Sequence, residues 1–181
     1  PVPRRVMEAA AAAGASKVVQ NAARASETLI IQVVPHHNGE VFLSKTAVEQ
    51  NPVFFGWPFT GRTTPKKSGN VAYPQRDPDP RVTVEVFDPE GRRVLEVTNY
   101  SLNTVYYSVK SEIRITFSPN IVDLTPPYSI LVMKQAPESA AYDYDISVHA
   151  PGSKEYELLL RSCNQTMPSG GKENPRRFGW L

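Results

Sequence analysis

From Glu27 onward the apolar positions are filled largely by β-branched and aromatic residues, and several stretches alternate apolar with polar, the period of a strand with one buried face. The clearest is Arg81-Val82-Thr83-Val84-Glu85-Val86-Phe87. The turn residues Asp88-Pro89-Glu90-Gly91 follow it and an apolar stretch over 93–98 returns, which predicts a hairpin. A second hairpin is expected from the β-branched stretch 28–34, the turn signal Asn38-Gly39 and the returning stretch 40–43. Ser44 then caps a short helix over 45–50, which Asn51-Pro52 ends. Strands are expected over 105–109, 112–117, 128–133 and 142–148. Ser118-Pro119 opens a second short helix, and 154–163 reads as a final one with Tyr156, Leu159 and Leu160 on one face. About seven strands and two short helices sharing one core predict a mostly-β fold, a seven-stranded open antiparallel pseudobarrel.

Three stretches depart from that pattern. Residues 1–26 are rich in alanine around Glu8 to Ala13 and predict an N-terminal helix with few large apolar residues, a linker or docking segment. Residues 60–80 hold Pro65, Pro74, Pro78 and Pro80 and read as a long irregular loop, the kind that in a compact domain carries function. Residues 164–181 look like an irregular tail. The expected organisation is thus a helical segment over 1–26, one domain over 27–163 and a tail. With no methionine start, the chain reads as a fragment of a longer protein.

Composition adds little until its distribution is considered. The formal net charge is only +2, but Arg62, Lys66, Lys67, Arg76 and Arg81 cluster against Asp77 and Asp79 alone. No apolar run reaches the eighteen residues of a membrane span. A lone Cys163 gives no disulfide and points to a reducing, cytoplasmic setting.

Candidate catalytic chemistry is hard to find. A phospholipase-D-type nuclease needs lysine two residues after histidine, but Asn38, Gly39 and Pro151 follow His36, His37 and His149 at that spacing. A restriction-type metal core would need lysine where Phe87 follows Glu85. Zinc would need more than one cysteine, and Ser169-Gly170-Gly171-Lys172 lacks the glycine and strand of a phosphate loop. The chain is therefore expected to be no enzyme by itself and to hold no metal or cofactor.

Duplex DNA asks instead for cations at its phosphates and paired donors and acceptors at its base edges. Three loops offer both. The first hairpin tip carries His36, His37 and Asn38; the long loop carries Arg62, Thr64, Lys66, Lys67, Asn70, Tyr73, Gln75 and Arg76. The segment 99–114 carries Asn99, Tyr100, Ser101, Asn103, Thr104, Tyr106, Lys110 and Arg114. Other readings stay open: solvated surface for the cations, turn-forming roles for the asparagines, or a protein- or carbohydrate-interaction module built on Phe54, Phe55, Trp57 and Tyr73. A hydrolase with an unrecognised site is a third.

The stretch Val41-Phe42-Leu43-Ser44-Lys45-Thr46-Ala47-Val48-Glu49-Gln50-Asn51-Pro52 resembles the strand-then-short-helix segment of the plant B-three DNA-binding pseudobarrel, and the element order from Thr28 to Val148 is similar to that family's. Bacterial versions serve as specificity domains of restriction endonucleases, including C-terminal domains behind a phospholipase-D-type nuclease. The resemblance implies sequence-specific recognition of double-stranded DNA in a bacterial cytoplasm, with the nuclease domain elsewhere in the same full-length chain. It also implies two arms that enter the major groove. His36, His37 and Asn38 belong to the first, over 34–41; Asn99, Ser101, Asn103, Thr104, Tyr106 and Lys110 belong to the second, over 99–114.

Overall fold

In the computed structural model, residues 28–65, 71–167 and 174–181 are described. The alanine-rich segment, Lys66, Lys67 and Asn70 lie outside them. In chain order the strands are β1 (Thr28–Val33), β2 (Glu40–Phe42), β3 (Arg62–Thr63), β4 (Pro74–Gln75), β5 (Arg81–Phe87), β6 (Arg93–Ser101), β7 (Thr104–Tyr107), β8 (Glu112–Thr116), β9 (Ser129–Gln135), β10 (Tyr144–His149), β11 (Gln165–Thr166) and β12 (Arg177–Trp180). The helices are α1 (Lys45–Gln50), a 3-10 turn (Pro52–Phe55), α2 (Pro119–Asp123) and α3 (Lys154–Ser162).

The molecule is mostly β, with two open sheets rather than one closed barrel. A seven-stranded sheet runs β11-β12-β1-β9-β10-β5-β6, and a five-stranded sheet runs β2-β8-β7-β4-β3. Where the chain passes from β1 to β2, and from β6 to β7, it leaves the first sheet for the second. The expected hairpin over 28–43 is therefore a sheet-to-sheet crossing. Its turn closes, with the His36 amide donating to the Glu40 carbonyl at 2.9 Å, but β1 and β2 pair with other strands.

Three further expectations need correction. The sheets are not wholly antiparallel, because β10 lies parallel to β5, with Ile146 opposite Val84. The helix expected over 154–163 is present as α3, but a 3-10 turn over Pro52–Phe55, where the chain was not expected to be helical, follows α1. The tail is not irregular: β12 pairs with β1, placing Phe178 opposite Ile31, and Phe178 is fully buried. Close packing explains the glycine in this short strand, since a Cβ on Gly179 would come within 1.9 Å of the Ser162 carbonyl oxygen.

One contiguous core fills the space between the sheets. Val82, Val84 and Val86 reach it from β5, Ile113 and Ile115 from β8, and Leu29, Ile31 and Val33 from β1. Five successive residues of β1 are buried because its other face is covered as well. There α3, N-capped by Ser153, lays Tyr156 against Ile30, Ile130 and Cys163. The buried amide of Gln32 is satisfied by the Tyr156 hydroxyl at 3.1 Å and the Arg177 amide at 2.9 Å. The seven-stranded sheet is thus covered by packed protein where β1 crosses it, and the five-stranded sheet turns a half-exposed face outward.

Candidate functional site

Alternation in β8 decides that outward face. Ile113 and Ile115 are buried, while Glu112, Arg114 and Thr116 between them are half-buried on the other side. Register carries the same parity to the neighbours. Phe42 lies opposite Arg114 and Glu40 opposite Thr116 on β2, and Val105 lies opposite Arg114 on β7. Glu40, Val105, Arg114 and Thr116, together with Thr64, Tyr73, Asn103 and Tyr107, line a groove of about 460 Å³.

Arg114 organises its floor. Its guanidinium donates to Glu112 from two nitrogens, at 3.1 and 3.0 Å, and to Glu40 at 3.0 Å. Those bonds use three of its five N–H donors, and two remain. The cation also lies 4.0 Å from the ring centre of Phe42 and 3.5 Å from that of Tyr107. His36 extends this row beyond Phe42, with ring centres 4.5 Å apart, and Tyr73 extends it beyond Tyr107 at 4.3 Å. A hydrogen bond with Tyr107 holds the Tyr73 hydroxyl above its ordinary pKa. Five planar side chains therefore cross the sheet in contact, which fixes the shape of the surface. Its charge is slightly negative, one cation against two carboxylates.

Exposed turns stand at both ends of β8. At one end His36, His37 and Asn38 are exposed, and Gly39 takes φ +91°. A Cβ on Gly39 would come within 2.3 Å of the Phe117 carbonyl oxygen. The Gly39 carbonyl accepts from the Phe117 amide at 2.8 Å, and the Asn38 side chain accepts from the Glu40 amide at 3.1 Å. At the other end Ser108, Val109 and Lys110 are exposed on a turn closed by the Lys110 amide donating to Tyr107 at 3.1 Å.

Other expected contact residues are engaged within the fold or stand outside the groove. Arg76, expected at a phosphate, donates to the Phe55 carbonyl at 3.1 Å and the Tyr144 hydroxyl at 2.8 Å. Gln75 is buried, and Thr104 is buried with its hydroxyl on the Leu102 carbonyl. Tyr106 faces the core opposite Ile113 and packs on Trp57. The Tyr100 hydroxyl donates to the Thr116 carbonyl at 2.9 Å, and burial pushes its pKa up. Arg62 pairs with Asp79 at 2.7 Å, and the Ser101 hydroxyl also meets Asp79. Asn99 sits at φ 53° on β6, the edge strand of the other sheet, where its carbonyl accepts from Arg81. Of the predicted contacts, the groove brings together Thr64, Tyr73, Asn103 and Arg114. His36, His37, Asn38 and Lys110 stand in the flanking turns.

Glu40, Val105 and Thr116 were missed, although the alternation of β2 and β8 carries the signal for the outward parity of Glu40 and Thr116. The alternative surface built on aromatics is overturned for Phe54 and Phe55, which are 2% and 1% exposed. Among the described residues no group of three or more His, Cys, Asp or Glu is placed to hold a metal ion, and no helix is long and apolar enough to cross a membrane. Burial raises the Cys163 thiol to about 11, so it stays protonated at neutral pH. No family model matches the chain, and no curated protein matches it.

Proposed function

We propose that this chain is a B-three-like pseudobarrel that recognises double-stranded DNA by sequence, serving as the specificity domain of a bacterial restriction endonuclease whose nuclease domain lies elsewhere in the same full-length chain. One observation carries the reading: two exposed turns that carry polar side chains flank a single open sheet face, one at each end of β8. Five strand residues span roughly 17 Å, somewhat more than the roughly 12 Å width of the major groove. The Asn103 amide lines the groove between the turns with no hydrogen-bond partner for its side chain among the described residues, which leaves it the paired donor and acceptor that a base edge requires. The paired carboxylates beside Arg114 assign the phosphates to the flanking turns, where Lys110 stands.

Mobility shifts with random duplex at two salt concentrations, followed by selection from a randomised pool, test this. Retention that weakens with salt and a recovered consensus are expected. Salt-insensitive or absent retention would return the protein- or carbohydrate-binding reading. Asn103→Ala relaxes preference at one position, whereas Lys66→Ala with Lys67→Ala weakens all sequences alike and lowers the salt slope by about 1 to 2.

A further inference from the structure

Val109 is 69% exposed, more than any other large apolar residue among those described. It sits mid-turn between β7 and β8, where backbone geometry gives no reason for a β-branched side chain; glycine, asparagine, aspartate and serine are the residues that turns favour. The turn is firmly built. The Lys110 amide donates to Tyr107 and the Ser111 amide to Ser108 at 3.3 Å, with Ser111 in the left-handed region at φ 54°. A stiff turn therefore holds an apolar group in water between a hydroxyl, Ser108, and a cation, Lys110.

We propose that Val109 reads the 5-methyl group of a thymine in the major groove, with Ser108 and Lys110 engaging the polar atoms around it. This rests on the DNA-binding reading above. The chemistry selects the target. Base edges in the major groove present hydrogen-bonding atoms and one apolar group, the thymine methyl. Valine is too short to wedge between stacked bases, which leucine, phenylalanine and methionine do in kinked complexes. It also has nothing to offer a phosphate.

The test uses the 181-residue chain and the duplex recovered by selection, with each thymine replaced singly by deoxyuridine, which removes the methyl and leaves every hydrogen-bonding atom in place. One position per bound chain is expected to lose roughly fourfold in affinity, the worth of one buried methyl group, with the others unchanged. In Val109→Ala, whose turn-tip location leaves folding intact by thermal melting, the difference between thymine and uracil shrinks toward onefold at that position. Insensitivity to every replacement, a consensus without thymine, or the same sensitivity in Val109→Ala overturns the proposal and leaves DNA recognition standing. Failure to retain any duplex removes both.

Discussion

β1 and β8 are both pattern-legible strands, yet they serve opposite ends. β1 buries five residues in a row because the core lies on one side and α3 on the other. β8 buries two of five and turns the remaining three to its outer face, two of them, Arg114 and Thr116, lining the groove. One strand is covered on both faces and the other on one face only, so substitutions in the two sheets should report on different properties. A change in β1 should be read in stability, and a change on the outer face of β8 in what the molecule binds.

The largest effect should come from the covered side. Ile31→Ala or Phe178→Ala should cost about 3 to 4 kcal/mol in urea unfolding, because neither fully buried site can be refilled by solvent. A loss under about 1 kcal/mol would show that β12 is not part of the cooperative unit. Arg76→Ala should cost about 2 kcal/mol, since two charge-assisted bonds tie its loop to the 3-10 turn and β10. Duplex binding by the folded fraction should then be unchanged, which separates a structural cation from a contacting one. On the outer face of β8, a double-mutant cycle over Glu112 and Arg114 should return a coupling of about 1 kcal/mol, as both side chains are 15% exposed.

A pH dependence belongs to the seven-stranded sheet. His149 stacks on Phe87 at 4.9 Å, with its Nδ1 buried and unpartnered. Burial lowers its pKa below the usual 6.5, against an opposing pull from Glu155 and Glu85. The unfolded chain therefore takes up the proton more readily. The contribution is present above pH 6.5 and is lost as pH falls below it. Unfolding midpoints between pH 7.5 and 5.5 should show this decline, and His149→Phe should flatten it. Smallest of all, His37→Ala and Lys110→Ala should stay within about 0.5 kcal/mol of the parent while weakening duplex retention.

How far these features were readable in advance follows from the range of the forces involved. The β5–β6 hairpin and α1 are local, marked by a turn and a cap within a few residues, and they form as expected. The parallel pairing of β5 with β10 joins segments some sixty residues apart and leaves no local mark. β12 is only four residues long and follows a proline, so it reads as a tail until it is seen docked on β1. At the site, one residue of parity separates Tyr106, which packs inward, from Tyr107, which lines the groove. Arg76 and Arg62 read as surface cations because nothing nearby in sequence reveals the Tyr144 hydroxyl or the position of Asp79.

The short link between Gly39 and Phe117 has a kinetic side. Whatever meets the 36–39 turn finds it already shaped, so encounter need not wait for a loop to order, and little conformational entropy is surrendered there on contact. Association at this end should be set by diffusion and orientation, with differences between partners expressed mainly in how slowly they leave.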